Sequence, residues 1–230
     1  MRPIFSTLRS PVLPIVAGVR LMTLLATLFA QPLAAAPNEL ETLTTAYERG
    51  DHDTARAGFE RLSRAGVPAA DYNLAVMHLR NELPGANLDE ARRLMLRAAD
   101  GGFVTAMVGL GQLYETGNGV KRNLVTSHQW YLKAAAAGSV DAQVSVATAH
   151  YLGRGAAKDP ALAARWYREA AKGGDVGAQY LLASMYEQGD GVDRDLRLAR
   201  YWYDIAARNG DVAAPGKVKE IDLKMSLQPG

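Results

Sequence analysis

Four stretches of this chain repeat one another without a gap at a period of 36 residues, and that periodicity constrains the fold more than any other feature. The stretches are 69–104, 105–140, 141–176 and 177–212. Ala70, Ala106, Ala142, Ala178 and Ala214 fall one period apart, as do Leu74, Leu110, Val146, Leu182 and Val218. Trp130-Tyr131 returns as Trp166-Tyr167 and Trp202-Tyr203, and Gly102, Gly138, Gly174 and Gly210 close the units.

Each unit reads as two helices. In the second, Ala106, Leu110, Leu113 and Tyr114 make one stripe at helical spacing. Ser139, Asp175 and Asp211 stand where a side chain can cap the first helix of the next unit. That first helix stops at Gly117-Asn118-Gly119, Gly153-Arg154-Gly155 or Gly189-Asp190-Gly191. A second helix then starts from Asn87, Asn123, Asp159 or Asp195, with Pro160 at its first position in the third unit. Along it Leu124, Tyr131, Ala134 and Ala135 form the apolar stripe. Trp130 and Tyr131 are adjacent and therefore point about 100° apart, so the tyrosine is expected in the core and the tryptophan in the next groove.

A lone hairpin of this kind cannot bury both apolar faces, whereas stacked copies share one continuous core. The expected fold is all-α, a solenoid of antiparallel helix hairpins. Residues 37–68 read as a degenerate N-terminal capping hairpin, and residues 213–230 as a C-terminal capping helix and tail whose lysines and acids suit a solvent-facing end.

The N-terminal 36 residues differ in character. Arg2, Arg9 and Arg20 occur there without any acid, ahead of the apolar run from Leu21 to Ala30 and the small-residue patch from Leu33 to Ala36. This is the pattern of a cleavable export signal, which places the mature chain in the periplasm or outside the cell. An uncleaved inner-membrane anchor is the alternative, and the run is short for it. Removing the three arginines takes the formal charge from +2 to −1. The mature chain then has no electrostatic footprint for nucleic acid. It has no cysteine, so neither lipid attachment nor disulfides are open to it.

Read together, the columns resemble the Sel1-like repeat, a relative of the tetratricopeptide repeat. The fourth unit carries the pattern as Ala178, Tyr180, Leu182, Tyr186, Gly189, Gly191, Val192, Asp195, Ala199, Trp202, Tyr203, Ala206, Ala207 and Gly210. The first departs from it, with His78 for the tyrosine, Asn81-Glu82-Leu83-Pro84-Gly85 for the paired glycines, and Leu94-Met95 for Trp-Tyr. The resemblance implies an adaptor or regulator; the chain is expected to bind a protein or peptide partner as a monomer, without cofactor, metal or catalytic residues. A binder or hydrolase of cell-wall fragments and a secreted host-directed factor are the rival classes. Cysteine-rich members linked to cell-wall-like ligands differ from this chain in their disulfides.

The residues weigh against chemistry. His78 and His150 share a column with Tyr114 and Tyr186, which explains them as packed rings; His52 falls in a turn and His128 at a variable helix position. No pair has metal-ligand spacing. The Gly-x-Gly pairs lack the lysine and the preceding strand of a phosphate loop. What remains is surface. The first helices of a curved solenoid line its concave face, and positions that vary between units are candidate contacts: Tyr72, with Val76 and Leu79, then Val108, Gln112 and Glu115, then Val144, Thr148 and Tyr151, and finally Tyr180, Ser184 and Glu187.

Overall fold

A computed structural model describes residues 36–227. The expected export segment lies outside the described residues, apart from Ala36 at the start of the first helix. Among the described residues there are eleven α-helices and no strand: α1 (Ala36–Glu48), α2 (His52–Arg64), α3 (Pro68–Leu79), α4 (Leu88–Asp100), α5 (Val104–Thr116), α6 (Leu124–Ala136), α7 (Val140–Leu152), α8 (Pro160–Lys172), α9 (Val176–Gln188), α10 (Leu196–Arg208) and α11 (Ala214–Ser226). Each packs on its neighbours in sequence, from α1 on α2 through α10 on α11. This is the expected α-solenoid. No helix among the described residues is long and apolar enough to cross a membrane.

Local chemistry sets the helix ends. Asn87, Asn123, Asp159 and Asp195 each accept hydrogen bonds from backbone amides in the first turn of the second helices. Ser139 and Asp175 do the same for α7 and α9. Gly117, Gly153 and Gly189 end α5, α7 and α9 in the left-handed region, with φ of 81°, 71° and 76°. In the irregular first unit Asn81 stands in that column and takes the same conformation, with φ of 57°. The second glycine of the third and fourth units' pairs meets a tighter constraint. A Cβ on Gly155 would lie 2.3 Å from the carbonyl oxygen of Leu124, and one on Gly191 would lie 2.3 Å from the backbone of Pro160. These two hairpin loops thus touch backbone of the preceding hairpin, and only hydrogen fits there.

The columns become the core. Ala70, Ala106, Ala142, Ala178 and Ala214 are all fully buried, where their small size lets helix axes approach closely. Tyr131, Tyr167 and Tyr203 are buried at 7%, 3% and 0% exposure, as the stripe requires. Trp166 is half-buried and packs against two buried clusters, the one that holds Tyr131 and Val146 and the one that holds Tyr167 and Ala178. It fills the inter-repeat groove. Polar ties reinforce the stacking: Gln143 and Gln179 donate to the carbonyls of Ala135 and Ala171, at the ends of α6 and α8.

The N-terminal hairpin of α1 and α2 is anchored differently. The Tyr47 hydroxyl donates to Glu82 at 2.8 Å and accepts from Arg80 at 2.7 Å, tying α1 to the irregular loop after α3. Asp71, 2% exposed, pairs through both carboxylate oxygens with Arg97, which also reaches Ser63.

Candidate functional site

The helices α3, α5, α7 and α9 present one face with few structural columns. Tyr72 is half-buried with its ring 5.3 Å from that of Phe103. Val76 and Leu79 are half-buried, Val108 packs on the Tyr131 cluster, and Gln112 is exposed. Glu115, Val144 and Thr148 come together in one cleft, whereas Tyr151 and Ser184 line a second, smaller one. Tyr180 turns inward, its ring 5.0 Å from Tyr203 and edge-on to it. Glu187 is not a surface residue. At 8% exposure it accepts from the Tyr203 hydroxyl at 2.9 Å and from Lys224 at 2.7 Å, with Lys217 at 3.3 Å. The variable column misled because α11 supplies the lysines that cover it.

The same column has a different fate in each unit. Glu115 accepts from the Tyr131 hydroxyl at 2.9 Å, as Glu187 does from Tyr203. In the third unit Tyr151 replaces the carboxylate, and the Tyr167 hydroxyl instead pairs with Thr148 at 3.0 Å. In the first, Leu79 and Met95 make the pair apolar. Burial, and then the neighbouring carboxylate, push the Tyr131 and Tyr203 phenols far up, so both remain hydrogen-bond donors at all ordinary pH. The loop is also shared: Arg122 donates to the Glu115 carbonyl at 2.8 Å and Arg194 to that of Glu187 at 3.0 Å.

The first cleft holds about 160 Å³ and the second, one repeat later, about 40 Å³. One substitution explains much of the difference. The column occupied by Met77, Leu113, Met185 and Ile221 holds Ala149 in the third unit. Ala149, Ser145, Val144 and Thr148 of α7 form one wall of the larger cleft. Glu115 at the end of α5 and Leu124, Ser127, His128 and Tyr131 of α6 form the other, with Arg154 at the mouth.

His128 was missed in the sequence because nothing recurs in its column. Its ring is half-buried and edge-on to His150 at 4.9 Å, and its Nδ1 has no hydrogen-bond partner. Burial, with the His150 charge adding, holds its imidazole below the ordinary range. His150 is more than a packed ring, since its Nδ1 meets the Ala157 carbonyl at 3.1 Å, and His78 Nδ1 accepts from the Asn87 amide at 3.2 Å. Two further residues escaped notice: Leu152 and Leu181 are 51% and 41% exposed on the first-helix face. No group of three or more His, Cys, Asp or Glu able to hold a metal occurs among the described residues.

Comparison with known proteins agrees with this architecture. The chain is similar to a Sel1 repeat protein from Oxalobacter formigenes, with 29% identity and a TM-score of 0.73 over 79% of this chain and 74% of that one. It is equally similar to a protective antigen present in uropathogenic Escherichia coli strains, with 28% identity and a TM-score of 0.73 over 80% of this chain. The match spans 40% of that antigen's length. No curated protein matches the chain. The Sel1 repeat itself matches at residues 68–103, 104–139, 140–175 and 176–211. With these four tandem copies covering more than half of its length, the chain belongs to the Sel1 repeat family.

Proposed function

We propose that this protein is an exported, non-catalytic scaffold that binds a partner protein or peptide along the face formed by its first helices, the concave face of the solenoid. The observation that carries this reading is the contrast on α7 and α9. Their structural columns are buried, yet Leu152 at the end of α7 and Leu181 of α9 stand exposed, Leu181 in the lining of the Tyr151 cleft one repeat after the Glu115 cleft. Exposed aliphatics beside half-buried polar groups suit the centre of a protein interface. Gln112, Thr148 and Ser184 supply neutral hydrogen-bonding groups on the same face.

Export rests on the basic and apolar segments between Arg2 and Ala36. The intact mass of the protein recovered from the periplasm or the medium tests it, the proposal requiring loss of that segment. Binding is tested by substituting both aliphatics. Leu152→Glu with Leu181→Glu should abolish capture of a specific envelope protein without lowering helicity, while Val125→Glu on α6 should leave capture intact. Equal loss from both faces would overturn the reading.

A further inference from the structure

The C-terminal cap shows how this surface binds a cation. Lys217 and Lys224 of α11 close on the Glu187 carboxylate at 3.3 Å and 2.7 Å, and the Tyr203 hydroxyl donates to it from below. Two periods earlier the receptor half is present again: Glu115 takes the place of Glu187, Tyr131 that of Tyr203 and Arg122 that of Arg194. The cations are not. Ser145 and Leu152 occupy the positions of Lys217 and Lys224, and no lysine or arginine nitrogen lies within ion-pair distance of Glu115 among the described residues. The space is left open, because Ala149 stands where Ile221 fills the equivalent point of α11.

From this we infer that the cleft between α5–α6 and α7 receives a lysine side chain of the protein partner, its ammonium on Glu115 and its stem along Leu124, Val144 and Thr148. The inference rests on the scaffold reading and deepens it by naming the chemistry the partner must offer. A half-buried carboxylate holding one hydrogen bond has free lone pairs for an ammonium. The cleft's volume and aliphatic walls suit a four-carbon stem. His128 faces the cleft in its neutral form near pH 7, so it adds no opposing charge. The nearby His150 holds a backbone carbonyl through Nδ1. Arg154, exposed at the mouth, is the one lining cation that opposes entry.

The test uses the purified protein with Nα-acetyl-lysine N-methylamide, against the norleucine analogue, which keeps the stem and lacks the ammonium. The His128 ring resonances report binding. The lysine amide should shift them saturably and the norleucine amide should not. Glu115→Gln, which keeps an acceptor for Tyr131, should weaken binding about tenfold or more, as expected for loss of a charged hydrogen bond. Leu152→Lys should do the same by filling the site from within, and Arg154→Ala should tighten binding by up to about fivefold. Equal binding of the two amides, or a Glu115→Gln variant that binds like wild type, would overturn the inference. The two proposals fail separately. Loss of lysine selectivity with face-specific capture intact removes the pocket alone, whereas capture indifferent to Leu152 and Leu181 with selectivity intact removes the scaffold reading alone.

Discussion

The Tyr203 hydroxyl donates to Glu187 Oε2 at 2.9 Å, from a ring that is fully buried beneath the terminal helix. One period earlier the equivalent Tyr167 pairs with Thr148, a neutral group. The two hydroxyls occupy the same column and differ chiefly in the carboxylate that Tyr203 meets, so their removal compares a charged hydrogen bond with an uncharged one. Tyr203→Phe should cost about 1.5–3 kcal/mol and Tyr167→Phe about 0.5–1.5 kcal/mol in urea unfolding. Equal costs would show that the Glu187 cluster adds nothing to an ordinary hydroxyl contact.

The same cluster sets an acid limit. Burial opposes ionisation of Glu187, but Lys224, Tyr203 and Lys217 together outweigh it and hold its carboxyl below the usual range. A lowered folded pKa gives stability that is present above the unfolded value, about 4.3, and lost as pH falls through the folded one. His128, also lowered, follows the same sign in a higher window beginning near its ordinary value of about 6.5. Melting temperature should therefore fall in two steps on acidification. Glu187→Gln should flatten the lower step and His128→Asn the upper. Exposed pairs such as Glu90 with Arg93 add to the lower step, and high salt should remove their share.

Gly191 and Gly174 both have positive φ, 70° and 94°, yet only one touches its surroundings. Gly174→Ala meets open space and should cost about 1–2 kcal/mol for the left-handed backbone alone. Gly191→Ala adds a clash with the backbone of Pro160 and should cost more, about 3 kcal/mol or above, because the whole hairpin must shift. Thermal unfolding of the two variants checks the order.

Asp71 is buried and its partner Arg97 is partly exposed, so the pair is asymmetric. Arg97→Met leaves an uncompensated buried carboxylate and should cost about 3 kcal/mol. Asp71→Asn with Arg97→Met should recover part of that loss, and a double-mutant cycle in urea measures how much. Additive costs would mean that the two residues act independently.

Much of this architecture is legible without coordinates, for a physical reason. A period of 36 residues repeats every local requirement, so caps such as Asp159, turns such as Gly153 and core positions such as Tyr167 each declare themselves several times. The candidate site is the reverse. Glu187 varies between units and so reads as surface, but its burial depends on Lys217 and Lys224 reaching it from α11, beyond the last repeat. His128 occurs once in its column, and its unpartnered Nδ1 follows from the packing of α6 against α7. The cleft itself comes from what Ala149 lacks, and a missing side chain becomes visible only once the column is known to face Glu115.

The claim on which the rest depends is that partners meet the first-helix face and not the outer one. A photo-crosslinking side chain placed singly at Gln112, Leu152 or Leu181, and for contrast at Val125, Leu132 or Leu198 on the second helices, measures this directly in cells. All six positions are exposed. The account predicts one crosslinked species common to the first three and absent from the second three. Crosslinks confined to Val125, Leu132 and Leu198 would contradict it.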